Sequence, residues 1–326
     1  LGGLSGVVDS KYFMGEPHSV CVVGSANVDL TFRMARLPRS GETVAARSLA
    51  TDFGGKGANQ AVMAVLAGAR VSLVARVGAD AFGRQVVENL ASRGVGIDHV
   101  ATDALLPTGV AAIFVDDAAH NNIVVAPGAN AGLAVEHVVA AADVIRAARV
   151  LLCQLETPVE ASLEAFRIAR AAGVLTILNP APARRLPDEL LRLTDLCVPN
   201  ETEAALLTGA ATESTAGAAK AARALRSSGA QRVIVTLGAR GCLIDDGSHT
   251  ETVPAPTVAA VDPTGAGDAF LGVLAAALAK TLSLREAVGR ATAAAALSVA
   301  RPGAQASFPT MADVDAMITR MSGLGA

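Results

Sequence analysis

The sequence predicts an α/β fold in which a parallel sheet is covered by helices on both faces and a small second sheet lies outside it. Three observations carry this expectation. Short β-branched apolar runs alternate with Ala/Leu-rich helical patterns along most of the 326 residues, and continuous apolar strands between helices mark a sheet buried on both sides. Two pairs of strand-like pieces lack an intervening helix. Hydrophobic residues make up 52% and charged residues 17% of the chain, which suits a large core and excludes disorder.

In chain order, residues 20–24, 71–77, 150–155, 174–179, 196–199 and 233–237 read as buried strands. Residues 57–67, 82–92, 135–147, 158–172, 202–207 and 215–227 read as the helices between them. Ligands of such sheets bind at the carboxyl ends of the strands. The pairs that break the rhythm are 29–36 with 42–48, and 109–116 with 121–126, the second closed by a turn at 117–120. Their place in the chain suggests a lid over the site, with lid segments at about 29–48 and 109–126; plain surface hairpins are the alternative. No repeat or linker divides residues 19–326, which read as a single domain. Residues 1–18 lack a basic start followed by an apolar stretch, so they read as a flexible leader and not as a secretory signal.

Composition excludes several classes. A net charge of −3 offers no basic excess for a nucleic-acid backbone. Trp is absent and Tyr12 is the single tyrosine, so a base-stacking platform is not expected. Cys21, Cys153, Cys197 and Cys242 lie far apart in apolar segments, as buried thiols of a reducing, cytoplasmic compartment do. No apolar run is long enough to span a membrane. The five histidines do not pair at metal-ligand spacing, which leaves a zinc enzyme or a Ser-His-Asp hydrolase without support.

Residues 261–270 read VDPTGAGDAF and carry the most chemistry. Gly265, Ala266 and Gly267 stand before a long helical run that begins at Asp268. A helix N-terminus offers unpaired N–H groups and partial positive charge, and glycines let an anion approach them. Asp268 would repel that anion unless it takes a proton from whatever attacks it. An anion cradle and a base in one turn point to phosphoryl transfer; an ordinary glycine turn with a dipole-favoured Asp is the alternative.

Other segments add to this. FGGKGANQA at 53–61 places Gly55, Lys56 and Asn59 at a helix start; it is not a P-loop, because residue 50 is Ala and Gly57 follows the lysine. Asn27 and Asp29, two apart on an extended chain, point the same way and can hold vicinal hydroxyls, or merely cap a turn. Glu156 ends a strand and suits a polyol contact or a solvated loop. Asn200 and Glu203 form a capping box, yet can equally hold hydrated Mg²⁺ near a polyphosphate. Residues 236–241 (TLGARG) bring Thr236, Gly238 and Gly241 to phosphates, or form a plain glycine-rich hairpin.

Taken in order, FGGKGANQA, DPTGAGDAF, Gly128-Ala129-Asn130, Asn179-Pro180-Ala181-Pro182-Ala183, Asn200-Glu201-Thr202-Glu203 and Gly303-Ala304-Gln305 resemble the ribokinase family of sugar kinases, the phosphofructokinase-B-like group, over more than nine-tenths of the chain. The resemblance implies an αβα sandwich with a mostly parallel central sheet and a small β-sheet lid, dimeric through the lids. It implies that Asn27, Asp29, Gly55, Lys56, Asn59 and Glu156 bind the sugar. Asp268 becomes the catalytic base, and the backbone of Gly265, Ala266 and Gly267 the anion hole. Asn200, Glu203, Thr236, Gly238, Gly241, Gly267 and Thr292 serve ATP, with Glu203 reaching Mg²⁺ indirectly. Asp262, Thr264, Ser298, Arg301, Gly303 and Ser307 match a K⁺ site. Pro263 departs from the usual Thr there and, with Pro302, stiffens the ion loops; Thr292 stands where a His or Asn is usual near the adenine.

The implied activity is ATP-dependent phosphorylation of D-ribose at O5, with neither nucleic acid nor membrane as partner. Its rivals are the same chemistry on deoxyribose, fructose or a nucleoside, and a catalytically silent sugar- or nucleotide-binding regulator, whose mark would be loss of the base. A Rossmann dehydrogenase is disfavoured because Phe270 occupies the third glycine position of its fingerprint.

Overall fold

A computed structural model describes residues 18–118 and 120–323. The expected leader at 1–18, His18 apart, lies outside the described residues, as does Ala119 of the expected hairpin turn. The elements run β1 (Ser19–Val23), β2 (Asn27–Arg33), β3 (Ser48–Gly54), α1 (Lys56–Leu66), β4 (Arg70–Gly78), α2 (Ala81–Ser92), β5 (Gly96–Asp103), β6 (Gly109–Val115), β7 (Asn121–Ala126), α3 (Val135–Ala140), α4 (Ala142–Ala147) and β8 (Val150–Cys153). They continue with α5 (Val159–Ala171), β9 (Leu175–Leu178), α6 (Asp188–Arg192), β10 (Leu196–Cys197), α7 (Glu201–Thr208), α8 (Thr215–Ser227), β11 (Arg232–Thr236), β12 (Cys242–Asp245), β13 (Thr250–Val253), α9 (Ala266–Ala279), α10 (Leu284–Ser298) and α11 (Met311–Gly323).

The main sheet has nine strands in the order β13-β12-β11-β10-β9-β8-β1-β4-β5. Only β12 runs against its neighbours. Strand alternation explains the continuous apolar runs: Val20 and Val22 of β1 enter a core shared with α1, α9 and α10, while Cys21 and Val23 enter a second core beneath α3, α4, α5 and α8. The chain leaves β1 toward β4 and β5, then returns to β8 and builds outward the other way. The switch point therefore lies between β1 and β8, where a sheet of this kind opens a crevice at its carboxyl edge. Helix α9 packs across both strands.

The second sheet has the order β3-β2-β6-β7, with β2 and β6 parallel and the outer pairs antiparallel. It corrects one expectation. Residues 42–48 are not the strand that pairs with β2; Ser48–Gly54 is. Glu42 is taken instead by Arg36, whose side chain it pairs with at 2.5 Å, and by the Arg39 N–H at 3.0 Å, which closes the preceding loop. Residues 135–147 form two helices broken at Ala141, and the strand expected at 196–199 is two residues long. β5, β13 and α6 were not expected as elements.

Candidate active site

The cleft at the switch point is bordered by the N-termini of α1, α7 and α9. Gly265 caps α9 in the left-handed region at φ +77°, and a Cβ there would stand 3.0 Å from the Ala304 Cα. The Ala266 N–H folds back to the Pro263 carbonyl at 3.2 Å. Gly267 faces open space, and Gly267 and Asp268, whose N–H groups have no partner within the helix, line the cleft. That cleft has a volume of about 210 Å³ and is lined by Lys56, Asn200, Glu203, Thr236, Gly265, Gly267 and Asp268.

Asp268 is 7% exposed. Its Oδ2 accepts from Asn59 Nδ2 at 3.0 Å and its Oδ1 from Gln60 Nε2 at 2.9 Å. Burial pushes its carboxyl up, opposed by the Lys56 charge and both amides. Lys56 is itself raised, first by Asp268 and then by Glu156 and Glu203. One lysine thus neutralises a ring of acids.

On the lid side, Asn27 is buried, and its Oδ1 accepts from Asn130 Nδ2 at 2.7 Å. Asn130 is turned that way because its own Oδ1 accepts from the Ala26 N–H at 2.9 Å. The Asp29 carboxylate lies over Gly54, where a Cβ would come within 2.1 Å of it. Burial, then Glu156, Asp52 and Asp268, push Asp29 up to about 7. Glu156 Oε2 accepts from Ser25 Oγ at 2.5 Å and from the Lys56 N–H at 2.9 Å, so it sits at the N-terminus of α1. The glycine signature is tied to this junction. A Cβ on Gly55 would meet Ala26 and Asn27 backbone at 2.9 Å, and one on Gly57 the Ser25 nitrogen at 2.6 Å. The expected close approach is therefore made first of all to the β1–β2 turn.

Across the cleft, Asn200 and Glu203 form the capping box in full: the Glu203 N–H donates to Asn200 Oδ1 at 2.8 Å and the Asn200 N–H to Glu203 Oε2 at 2.9 Å. Burial raises the Glu203 carboxyl. Thr236 bridges to Asn200 and lines the cleft. Gly238 stands in open space, whereas Gly241 is demanded by φ +91° and the Val253 carbonyl, which a Cβ would approach to 2.0 Å. Thr292 is not brought to this cleft; it is 5% exposed on α10 with its hydroxyl 3.8 Å from Cys242 Sγ.

Beside the anion turn, Asp262 joins two loops. Its Oδ1 accepts from the Thr264 N–H at 2.9 Å and its Oδ2 from the Gly303 N–H at 2.8 Å, although desolvation works against it, these bonds hold its carboxyl below the usual range. Ser298 and Ser307 are buried and donate to the Ala295 and Ala304 carbonyls, each at 2.8 Å. The Arg301 side chain points outward, 3.9 Å from Asp313. Among the described residues, no three His, Cys, Asp or Glu side chains are grouped as a metal cage, and no helix is long and apolar enough to cross a membrane.

Sequence reasoning gave no site role to Gln60, Asn130, Gln154 or Gln305, and used Gln60, Asn130 and Gln305 only as parts of motifs. All four are buried amides. Gln154, inside the apolar run at 152–155, is the one of the four that carries a signal in the sequence.

The pfkB family carbohydrate kinase model matches residues 17–311. Mouse ribokinase is 42% identical over 304 residues, 92% of this chain and 94% of its own length. Deoxyribokinase of Salmonella typhi is 36% identical over 90% of this chain and 96% of its own. The structure of Arabidopsis thaliana ribokinase complexed with ribose and ATP superposes with a TM-score of 0.86 at 33% identity, covering 94% of this chain and 99% of that one. A cleft at the switch point, a buried carboxylate at a helix N-terminus and these likenesses agree: the chain belongs to the pfkB family of carbohydrate kinases.

Proposed function

We propose that the protein is an ATP-dependent sugar kinase that converts D-ribose and ATP into ribose 5-phosphate and ADP. The observation that carries this is Asp268, buried at the open N-terminus of α9 between a lid-side set of polyol-type groups and a second set at Asn200, Glu203 and Thr236. Asn27, Asp29, Asn59 and Glu156 hold the sugar hydroxyls. Asp268 takes the proton from O5 as that oxygen attacks the γ-phosphorus, and the N–H groups of the Gly265–Gly267 turn stabilise the phosphoryl oxygens. Lys56 offsets the crowding of carboxylates.

ATP brings Mg²⁺, and the raised, partly shielded Glu203 with Asn200 suits a hydrated ion; the ion supplies charge neutralisation at the phosphates. The single carboxylate of Asp262 among neutral oxygens suits a large monovalent ion such as K⁺, which supplies positive charge behind the anion turn. Rates in KCl, NaCl and choline chloride at constant ionic strength test this; equal rates in all three would remove the ion from the reading. The mouse and Arabidopsis ribokinases support ribose as substrate. The Salmonella deoxyribokinase supports deoxyribose as the second reading, although Asn27 and Asp29 together favour vicinal hydroxyls. Buried thiols at Cys21, Cys153, Cys197 and Cys242, all unpaired, support a cytoplasmic setting. An ADP-release assay across ribose, deoxyribose, fructose and nucleosides decides among the acceptors. ATP turnover stimulated by none of them would overturn the proposal.

A further inference from the structure

Each amide that holds Asp268 is itself oriented by another amide. On one arm, Asn59 donates to Asp268 Oδ2, Gln305 Nε2 donates to Asn59 Oδ1 at 3.0 Å, and Asn89 Nδ2 donates to Gln305 Oε1 at 3.0 Å. On the other, Gln60 donates to Asp268 Oδ1, and Gln154 Nε2 donates to Gln60 Oε1 at 2.5 Å. Gln60 Nε2 also reaches Asn179 Oδ1 at 3.3 Å, and Asn179 is turned by its own donation to the Val198 carbonyl at 3.0 Å. Asn59, Gln60, Gln154 and Gln305 are all buried.

A primary amide has a donor end and an acceptor end. Turning Asn59 or Gln60 over would aim an oxygen at the carboxylate and set two NH₂ groups against each other. The direction of the chain is therefore fixed, and its cost shows at the far end: Gln154 Oε1 is buried with no partner. An unsatisfied buried acceptor is destabilising. The Gln154 oxygen is packed against Gly24, and a carboxylate that needs donors on both oxygens accounts for the amide being held this way round.

We propose that Gln60 and Gln305 are positioning residues for the base: Gln60 fills one protein-facing lone pair of the Asp268 carboxylate directly, Gln305 holds Asn59 so that it fills the other, and together they fix the carboxylate plane. The remaining lone pairs face the cleft. The proton taken from the acceptor hydroxyl then has one place to sit, on the cleft side, because the amide donors cannot accept it. This rests on the reading of Asp268 as general base. The charged groups around that carboxylate are Lys56 on α1, Glu156 after β8, Glu203 on α7 and Asp29 on β2, and all four are retained in the variants below.

The experiment is kcat and KM against pH, with D-ribose and ATP, for Gln60→Leu, Gln60→Glu and Gln305→Leu, folding being checked by circular dichroism. Losing a donor to the ionised form should move the acidic limb of kcat up by about one pH unit in Gln60→Leu. The shift should be larger in Gln60→Glu, where a like charge is added, and smaller in Gln305→Leu, where Asn59 stands between. KM for ATP should stay within about twofold, because these amides do not face the nucleotide side of the cleft. Limbs that superimpose on wild type in the folded variants would overturn the proposal; should the Gln60 variants not fold, Gln305→Leu alone decides. Should the wild type phosphorylate no sugar, the functional reading fails separately. A carboxyl ¹³C NMR titration of Asp268, assigned by its loss in Asp268→Asn, still tests the network: its midpoint rises in Gln60→Leu or the proposal falls.

Discussion

Asp268 and Asp29 are both carboxylates raised by burial, yet they answer to pH in different ways. Asp268 has a proton to take, so Asp268→Asn, nearly isosteric and still able to meet one of its two amide neighbours, should leave the melting temperature within a few degrees and reduce kcat by ~10²–10⁴-fold. Turnover within threefold of wild type would remove it as the base. Asp29 has hydroxyls to accept. With its folded value near 7 against 3.8 in a free chain, the folded protein binds the extra proton between those values, so this group makes stability fall as pH rises through that window. Sugar hydroxyls prefer the ionised form, so sugar binding expels the proton. The sugar Kd should fall about tenfold from pH 6 to pH 8. Calorimetry checks this, and Asp29→Asn should flatten the dependence. These acids were legible as sequence because Asp268 opens a helix and Asp29 follows the first buried strand, two residues after Asn27. The amides behind them, Gln154 in its apolar run apart, were not: a buried glutamine has no period or spacing that separates it from a surface one, and its partners lie as far off as Gln305 from Asn59.

Glycines carry the argument at the scale of elements, and two neighbours in one motif should behave oppositely. A Cβ on Gly54 meets the far end of the Asp29 side chain, which can swing aside. Gly54→Ala should therefore raise KM for the sugar, roughly tenfold if one charged hydrogen bond is lost, with little change in melting temperature. A Cβ on Gly57 meets the backbone of Gly24 and Ser25 at 2.6–2.7 Å, and backbone cannot rotate away. Gly57→Ala should lower the melting temperature by several degrees or yield insoluble protein. Equal thermal losses in both would mean that the motif has no division of labour. The same motif misled the reading of β3. Read as a helix start, the motif hides the fact that β3 runs on to Gly54 inside it, and the expected strand falls on the neighbouring 42–48 instead. The main-sheet strands were legible because both of their faces are buried; β10 was overextended because buried coil beyond Cys197 is as apolar as strand.

For the whole molecule, the second sheet is the part that leaves apolar strand surface uncovered. Leu49, Ile123, Val124 and Val125 of β3 and β7 are 51–61% exposed, and all residues of β7 are exposed. β7 is also an edge strand, with no neighbour beyond it. Beneath this surface the lid is well packed: Phe32 and Phe114 stack at 5.4 Å between ring centres. Exposed apolar residues at an unpaired edge invite a partner, and because homo-oligomers with closed symmetry are common, the partner we propose is a second copy of this chain. The lid strands also carry Asn27 and Asp29, so an interface there steadies the sugar side of the cleft and not the nucleotide side. Ile123→Asp should therefore convert a dimer to a monomer in sedimentation velocity at micromolar concentration. It should raise KM for the sugar more than KM for ATP, without lowering the melting temperature of the main body measured at equal monomer concentration by more than the lost association contributes. A wild-type chain that sediments as a monomer would refute the interface. A monomeric variant with unchanged sugar KM would separate assembly from the site, leaving the lid to close over the sugar unaided.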